Sequence, residues 1–219
     1  MRNLDYKPIY HRNLPHLQPW GAAFFITFRL AGSIPRLVLE RWAADKRRKL
    51  AQANSSELGR DALLAIGRKR FREIENWLHS ADRGPLWLGD ERIAQMLCES
   101  LHYRDGKVYR LDAYCVMPNH VHLVFAPLPL KPEALNAEYY SLAAILHSLK
   151  GRTANQANRL LERHGAFWDH ESYDHYIRDE DEWGRVIAYV LNNPVKANLA
   201  QHWQEWRWSY CRLDATSAS

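Results

Sequence analysis

The sequence is poor in cysteine and has no membrane-length apolar run, no internal repeat and no low-complexity tract. Cys98, Cys115 and Cys211 lie far apart without a Cys-x-x-Cys pair, which argues against a disulfide framework or a zinc ribbon and predicts three buried thiols. No stretch approaches the roughly 20 apolar residues of a membrane helix. The opening residues, Met1-Arg-Asn-Leu-Asp-Tyr-Lys-Pro8, lack the apolar centre of a signal peptide, so a cytoplasmic protein is expected.

What remains is ordinary in bulk and rich in aromatics. Of 219 residues, 47% are hydrophobic and 25% charged, with nine tryptophans and eleven tyrosines. That length suits one domain carrying a small helical insert. The net charge of +5 is compatible with a polyanionic partner, because lysine and arginine release counterions from phosphates, although many basic proteins bind no nucleic acid.

Residues 1–20 are polar and punctuated by Pro8, Pro15 and Pro19, which reads as an extended arm. Residues 22–30 follow as a buried strand. Residues 36–83 place basic blocks, Lys46-Arg47-Arg48-Lys49 and Arg68-Lys69-Arg70-Phe71-Arg72, among apolar residues at helical spacing, which predicts a helical pair broken near Asn54-Ser55-Ser56. Its basic face either tracks phosphates or is simply solvated. A helix over 90–101 comes next, with acidic residues in its first turn. Strands at 109–117 and 120–127 turn at Pro118-Asn119. Then come a helix over 139–163, perturbed at Gly151, a short extended stretch, and a helix over 180–193. The expected fold is α+β, a ferredoxin-like sandwich with helices on one face of a mainly antiparallel sheet. One domain spans 21–212, with a helical insertion at about 33–85 and a disordered tail at 213–219.

His120-Val121-His122 carries the first chemical signal. Alternate strand residues share a face, so the two imidazoles lie about 7 Å apart on one side, able to ligate one divalent ion, while Val121 enters the opposite layer. They interrupt the otherwise apolar Ala113–Phe125 segment. A buried polar ring without a partner is costly, and a metal ion supplies one. On the last helix Trp183, Val186, Ile187, Val190 and Leu191 fix the buried stripe, which leaves Tyr189 and Asn193 one turn apart on its flank. Without the histidines, Tyr189 reads as a packing residue and Asn193 as a cap before Pro194.

Four blocks, Met117-Pro-Asn-His-Val-His-Leu-Val124, Ser148-Leu-Lys-Gly-Arg152, Phe167-Trp-Asp-His-Glu-Ser-Tyr-Asp-His-Tyr-Ile-Arg-Asp-Glu180 and Tyr189-Val-Leu-Asn-Asn-Pro-Val-Lys-Ala197, resemble successive blocks of the REP-associated tyrosine transposases. These are single-tyrosine HUH enzymes related to the IS200/IS605 group. Residues 33–85 match nothing in that pattern. The resemblance implies His120 and His122 as metal ligands for Mg²⁺ or Mn²⁺, Tyr189 as nucleophile, and Asn193 at the place of a third ligand, where relatives often carry the longer glutamine. His175 is a further ligand candidate, ahead of His170 and Glu171. Asp174 and Asp179 read as loop or capping residues.

The implied reaction opens single-stranded DNA beside an imperfect REP-type hairpin and leaves a 5′-phosphotyrosine, the enzyme working in the nucleoid and as a monomer rather than a dimer. Lys150, Arg152, Arg159, Arg178 and Lys196 would position phosphates. Trp203, Trp206, Trp208 and Tyr210 either stack on bases or pack over a core edge. Competing readings are a replication-initiator nickase of the same chemistry and a domesticated hairpin-binding protein that no longer cleaves.

Overall fold

A computed structural model describes residues 10–11, 15–16, 21–53, 60–79, 84–131 and 138–212. Of the N-terminal arm, β1 (Tyr10–His11) and β2 (Pro15–His16) pair antiparallel. The tail at 213–219 lies outside the described residues. The body follows as β3 (Phe24–Leu30), α1 (Arg36–Ala53), α2 (Arg60–His79), α3 (Glu91–His102), β4 (Tyr109–Val116), β5 (His120–Pro127), α4 (Leu142–Leu160), β6 (Trp168–Tyr176), α5 (Glu180–Leu191), α6 (Asn193–Lys196) and β7 (Ser209–Cys211).

The five long-range strands form one antiparallel sheet in the order β6-β3-β5-β4-β7, an α+β fold as expected. The extended stretch before the last helix is a full edge strand, β6, and the aromatic C-terminal segment contributes the other edge, β7. Trp208 is buried in the core, and Tyr210 stacks on Tyr114 at 5.6 Å between ring centroids. No described helix is long and apolar enough to cross a membrane.

Helices cover both faces of the sheet rather than one. Every residue of β3 is buried, so both of its faces need a cover. Val121, Leu123 and Phe125 enter the larger core with Ile93, Leu97 and Leu101 of α3 and Ile145 and Leu149 of α4. Val124, Phe25 and Cys115 face the other way, against Ile187, Val190 and Leu191 of α5. Cys98, Cys115 and Cys211 are all buried, and burial pushes the Cys98 thiol up to about 11.

Local chemistry sets the boundaries. Asp90 caps α3 by accepting from the Arg92 amide, Ser141 caps α4, and Asp179 caps α5 through the Glu182 amide. Helix α4 continues unbroken through Gly151. Helix α5 stops at Leu191, and the chain restarts as a short turn, because Pro194 has no amide hydrogen for the ladder.

The insertion is a helical pair, and its second helix lies on the smaller core. Arg70 ties the pair together: its guanidinium donates to the Trp42 carbonyl at 2.8 Å and lies 4.7 Å from the centre of the Trp42 ring. Phe71 then stacks on Tyr173 of β6 at 4.2 Å and meets Phe25 edge-on at 5.5 Å. This anchors α2 across the sheet face that carries the histidines.

Candidate active site

The period-two geometry of β5 places His120 and His122 side by side, with Thr27 of β3 and Cys115 of β4 directly opposite His122 on its two neighbours. Both rings are buried, at 1% and 0% exposure, and their Nε2 atoms are 3.0 Å apart. The strand spacing alone predicts a wider pair, so the rings have turned toward one point.

Each outer ring nitrogen has a defined partner. The Asn119 amide donates to the Leu78 carbonyl at 3.1 Å, which aims its oxygen at His120 Nδ1 at 2.6 Å. His120 Nδ1 is therefore the donor and Nε2 keeps its lone pair. His122 Nδ1 lies 2.8 Å from the Thr27 hydroxyl. A hydroxyl donates or accepts, so Thr27 serves either tautomer of His122, including the one that leaves Nε2 free as a ligand.

Helix α2 completes the cluster with two side chains one turn apart. Glu75, 5% exposed, brings Oε2 to 3.3 Å from His122 Nε2 and accepts a hydrogen bond from the Tyr189 hydroxyl. Its second oxygen, Oε1, is buried and has no hydrogen-bond partner among the described residues. His79 Nε2 lies 2.7 Å from the Asn193 carboxamide oxygen, and the Asn193 amide donates to the Tyr189 carbonyl at 2.8 Å. That fixes the carboxamide, makes His79 Nε2 the donor and leaves Nδ1 with a lone pair.

Glu75, His79 and His120 place three ligand atoms within 4.8 Å of one another, an arrangement compatible with a divalent cation. Burial pushes the Glu75 carboxyl up, but the adjoining His122, with a smaller hydrogen bond from Tyr189, reverses this and holds it at about 2. Burial drives His120 well below the usual histidine range, with His122 adding to the effect. Burial and the Glu75 carboxylate raise the Tyr189 hydroxyl. His120 is therefore a neutral imidazole beside the Glu75 carboxylate and the un-ionised Tyr189 phenol.

The other residues singled out in the sequence fall at several places. Tyr189 shares the pocket, its ring 5.5 Å from His122 and with Lys196 Nζ 4.6 Å above it. Asn193 is fully buried and faces His79 rather than the histidine pair. His175 lies on β6 and pairs with Glu182 at 2.9 Å, while Arg178 approaches the same carboxylate at 3.4 Å. His170 and Glu171 are exposed on β6. Lys150, Arg152 and Arg159 belong to α4, across the sheet from the histidines, and Lys150 donates to the Asp169 carbonyl at 2.7 Å.

Glu75 and His79 were not legible as site residues. Their i, i+4 spacing on one helix was the available signal, but nothing in the sequence says that the insertion folds back over the sheet.

No family model matches the chain. Two proteins of Haemophilus influenzae are similar to it. One, named provisionally as a REP-associated tyrosine transposase, is 26% identical over 104 residues, which is 47% of this chain and 58% of that protein. The other is uncharacterized and is 27% identical over 99 residues, 39% of this chain and 54% of that protein. The chain thus spans less than two thirds of the length of either relative. Among solved structures, a REP-associated tyrosine transposase bound to a REP hairpin aligns with a TM-score of 0.49 and 13% identity, over 97% of this chain and 87% of that one.

Proposed function

We propose that this chain is a REP-associated tyrosine transposase, a metal-dependent HUH enzyme that cuts single-stranded DNA beside REP-type hairpins and holds the cut end as a 5′-phosphotyrosine. The observation that carries the reading is convergence: Tyr189, His120, His122 and Glu75 come from α5, β5 and α2 and meet in one buried cluster. The four sequence blocks and the similar Haemophilus influenzae protein agree with it.

His120 Nε2, His122 Nε2 and the unpartnered Glu75 Oε1 would hold the cation, with His79 Nδ1 beside them. Two imidazoles and a carboxylate suit Mn²⁺ well and accept Mg²⁺. A bound cation supplies positive charge to the scissile phosphate and to the departing 3′ oxygen. Asn119 and Thr27 orient the two imidazoles from behind, and Asn193 does the same for His79.

Tyr189 is the attacking group. Its phenol reacts only as it loses its proton, and Glu75 Oε2 already accepts that hydrogen bond. A bond forms between the Tyr189 oxygen and phosphorus, and the bond from phosphorus to the 3′ oxygen breaks. The Tyr189 proton passes by way of Glu75 Oε2 to water, and the 3′ oxygen takes a proton from water, so no net charge is left behind. The phosphotyrosine ester retains the bond energy, so a 3′-hydroxyl can later attack it and rejoin strands without ATP. Tyr189 reaches the histidines of its own chain, so a monomer carries the full set of groups.

The test is an adduct assay with labelled hairpin single strands and Mn²⁺. Wild type is expected to form a covalent complex, and Tyr189→Phe and the pair His120→Ala with His122→Ala are expected to form none. An adduct that persists in Tyr189→Phe overturns the assignment of the nucleophile.

A further inference from the structure

The cationic charge of this chain is not spread evenly. Residues 36–79 hold eleven lysines and arginines against six carboxylates, and the rest of the chain holds nineteen of each. The whole net charge of +5 therefore resides in the α1–α2 insertion. Elsewhere many of the arginines are committed: Arg29 pairs with Asp169 at 2.9 Å, Arg110 with Asp112 at 2.8 Å, Arg212 with Asp105 at 2.7 Å and Arg178 with Glu182 at 3.4 Å.

On α2 the pattern differs. Arg68, Lys69 and Arg72 are exposed and make no ion pair among the described residues. Arg41 and Arg47 on α1 are likewise exposed, whereas the side chains of Lys46 and Lys49 lie outside what the structure describes. Arg68, Arg72, Glu75 and His79 follow one another at spacings of four, three and four, which puts them on one flank of the helix. At 1.5 Å of rise per residue, Arg72 lies about 4.5 Å and Arg68 about 10.5 Å along the axis from Glu75. Glu75 and His79 end this line in the candidate metal cluster, and at the sheet edge burial pushes the half-buried Tyr173 hydroxyl up while the Arg68 charge opposes it in part.

We propose that the α1–α2 insertion is the single-stranded DNA surface of this protein, with Arg68 and Arg72 holding the backbone phosphates that neighbour the one placed at Glu75 and Tyr189. This rests on the nuclease reading for the identity of the strand. It gives the insertion two tasks on one helix, ligating at its C-terminal end and tracking phosphates toward its N-terminal end. Contacts of this kind neutralise charge without reading bases, so they act on any sequence.

The test is binding of a labelled single-stranded oligothymidylate, followed by anisotropy over a series of KCl concentrations. The double variant Arg68→Ala with Arg72→Ala is expected to flatten the slope of log affinity against log salt by about 1.4, at about 0.7 per lost phosphate contact on a single strand. Its melting temperature and Mn²⁺ affinity should match wild type, because neither arginine touches the buried cluster. An unchanged slope overturns the proposal, as does loss of binding on Arg152→Ala with Arg159→Ala while the insertion variant binds normally. A wild type that binds no oligothymidylate overturns it too. An altered slope without any hairpin adduct leaves the surface standing and sinks the nuclease, so the two readings fail separately.

Discussion

Tyr189 donates its hydroxyl hydrogen bond to Glu75, and this contact joins the tyrosine helix to the inserted helix beside the histidine pair. The two residues lie 114 positions apart in the chain. If Glu75 is a ligand through its free oxygen, Glu75→Gln keeps the shape and removes the charge that a divalent cation needs. Mn²⁺ affinity measured by calorimetry should fall at least about tenfold. Equal affinity in the variant would remove Glu75 from the metal set.

Thr27 offers a finer probe because it touches only His122 in the cluster, through Nδ1 at 2.8 Å. Thr27→Val keeps the volume and leaves that nitrogen unpaired inside the sheet, which costs about 1–3 kcal/mol in stability. It also removes the contact that holds the imidazole in its orientation, so Mn²⁺ affinity should fall by about 10–100-fold. Thr27→Ser retains a hydroxyl and should recover most of the binding. Valine and serine variants with the same affinity would show that Thr27 does not orient the ring.

The sequence revealed one wall of this site well and the other not at all. His120 and His122 were readable because a strand of period two forces them to one side, and Tyr189 because the apolar stripe of α5 leaves it on the flank. The sheet order and the two edge strands were not legible: β6 reads only as a short extended stretch, because an edge strand is largely polar and alternates weakly, and β7 reads only as part of an aromatic segment. Helix α2 was recognisable as a helix, but helical periodicity carries no information about where a helix docks. Only the packing of Phe71 against Tyr173 and Phe25, a tertiary fact, brings Glu75 and His79 to the histidines. The same limit applies to Asn193, whose place one turn from Tyr189 was evident while its partner, His79, was not.

The protonation states in the cluster set an acid limit on the metal-free protein. His120 is held well below its ordinary 6.5, so below that pH the unfolded chain takes up a proton that the native state refuses. Glu75 is held at about 2 against its ordinary 4.5, so its contribution is present above 4.5 and is lost as pH falls toward 2. Both effects have the same sign: the unfolded state binds more protons, and stability falls with falling pH. Urea titrations in the presence of a chelator should show stability declining below about pH 6.5 and steepening below about pH 4.5, each group adding up to about 1.4 kcal/mol per pH unit. Glu75→Gln should remove the steeper part. A flat profile from pH 7 to pH 4 would contradict these assignments.

The most direct measurement is to locate the covalent bond itself. Wild-type protein is incubated with structured single-stranded DNA and Mn²⁺, digested, and the nucleotide-bearing peptide sequenced by mass spectrometry. The proposed mechanism predicts a single modified residue, Tyr189, joined to a 5′-phosphate, with a free 3′-hydroxyl on the released strand and no product once His120 and His122 are both replaced by alanine. A phosphate on another tyrosine, or a 3′-phosphate linkage, would contradict the account.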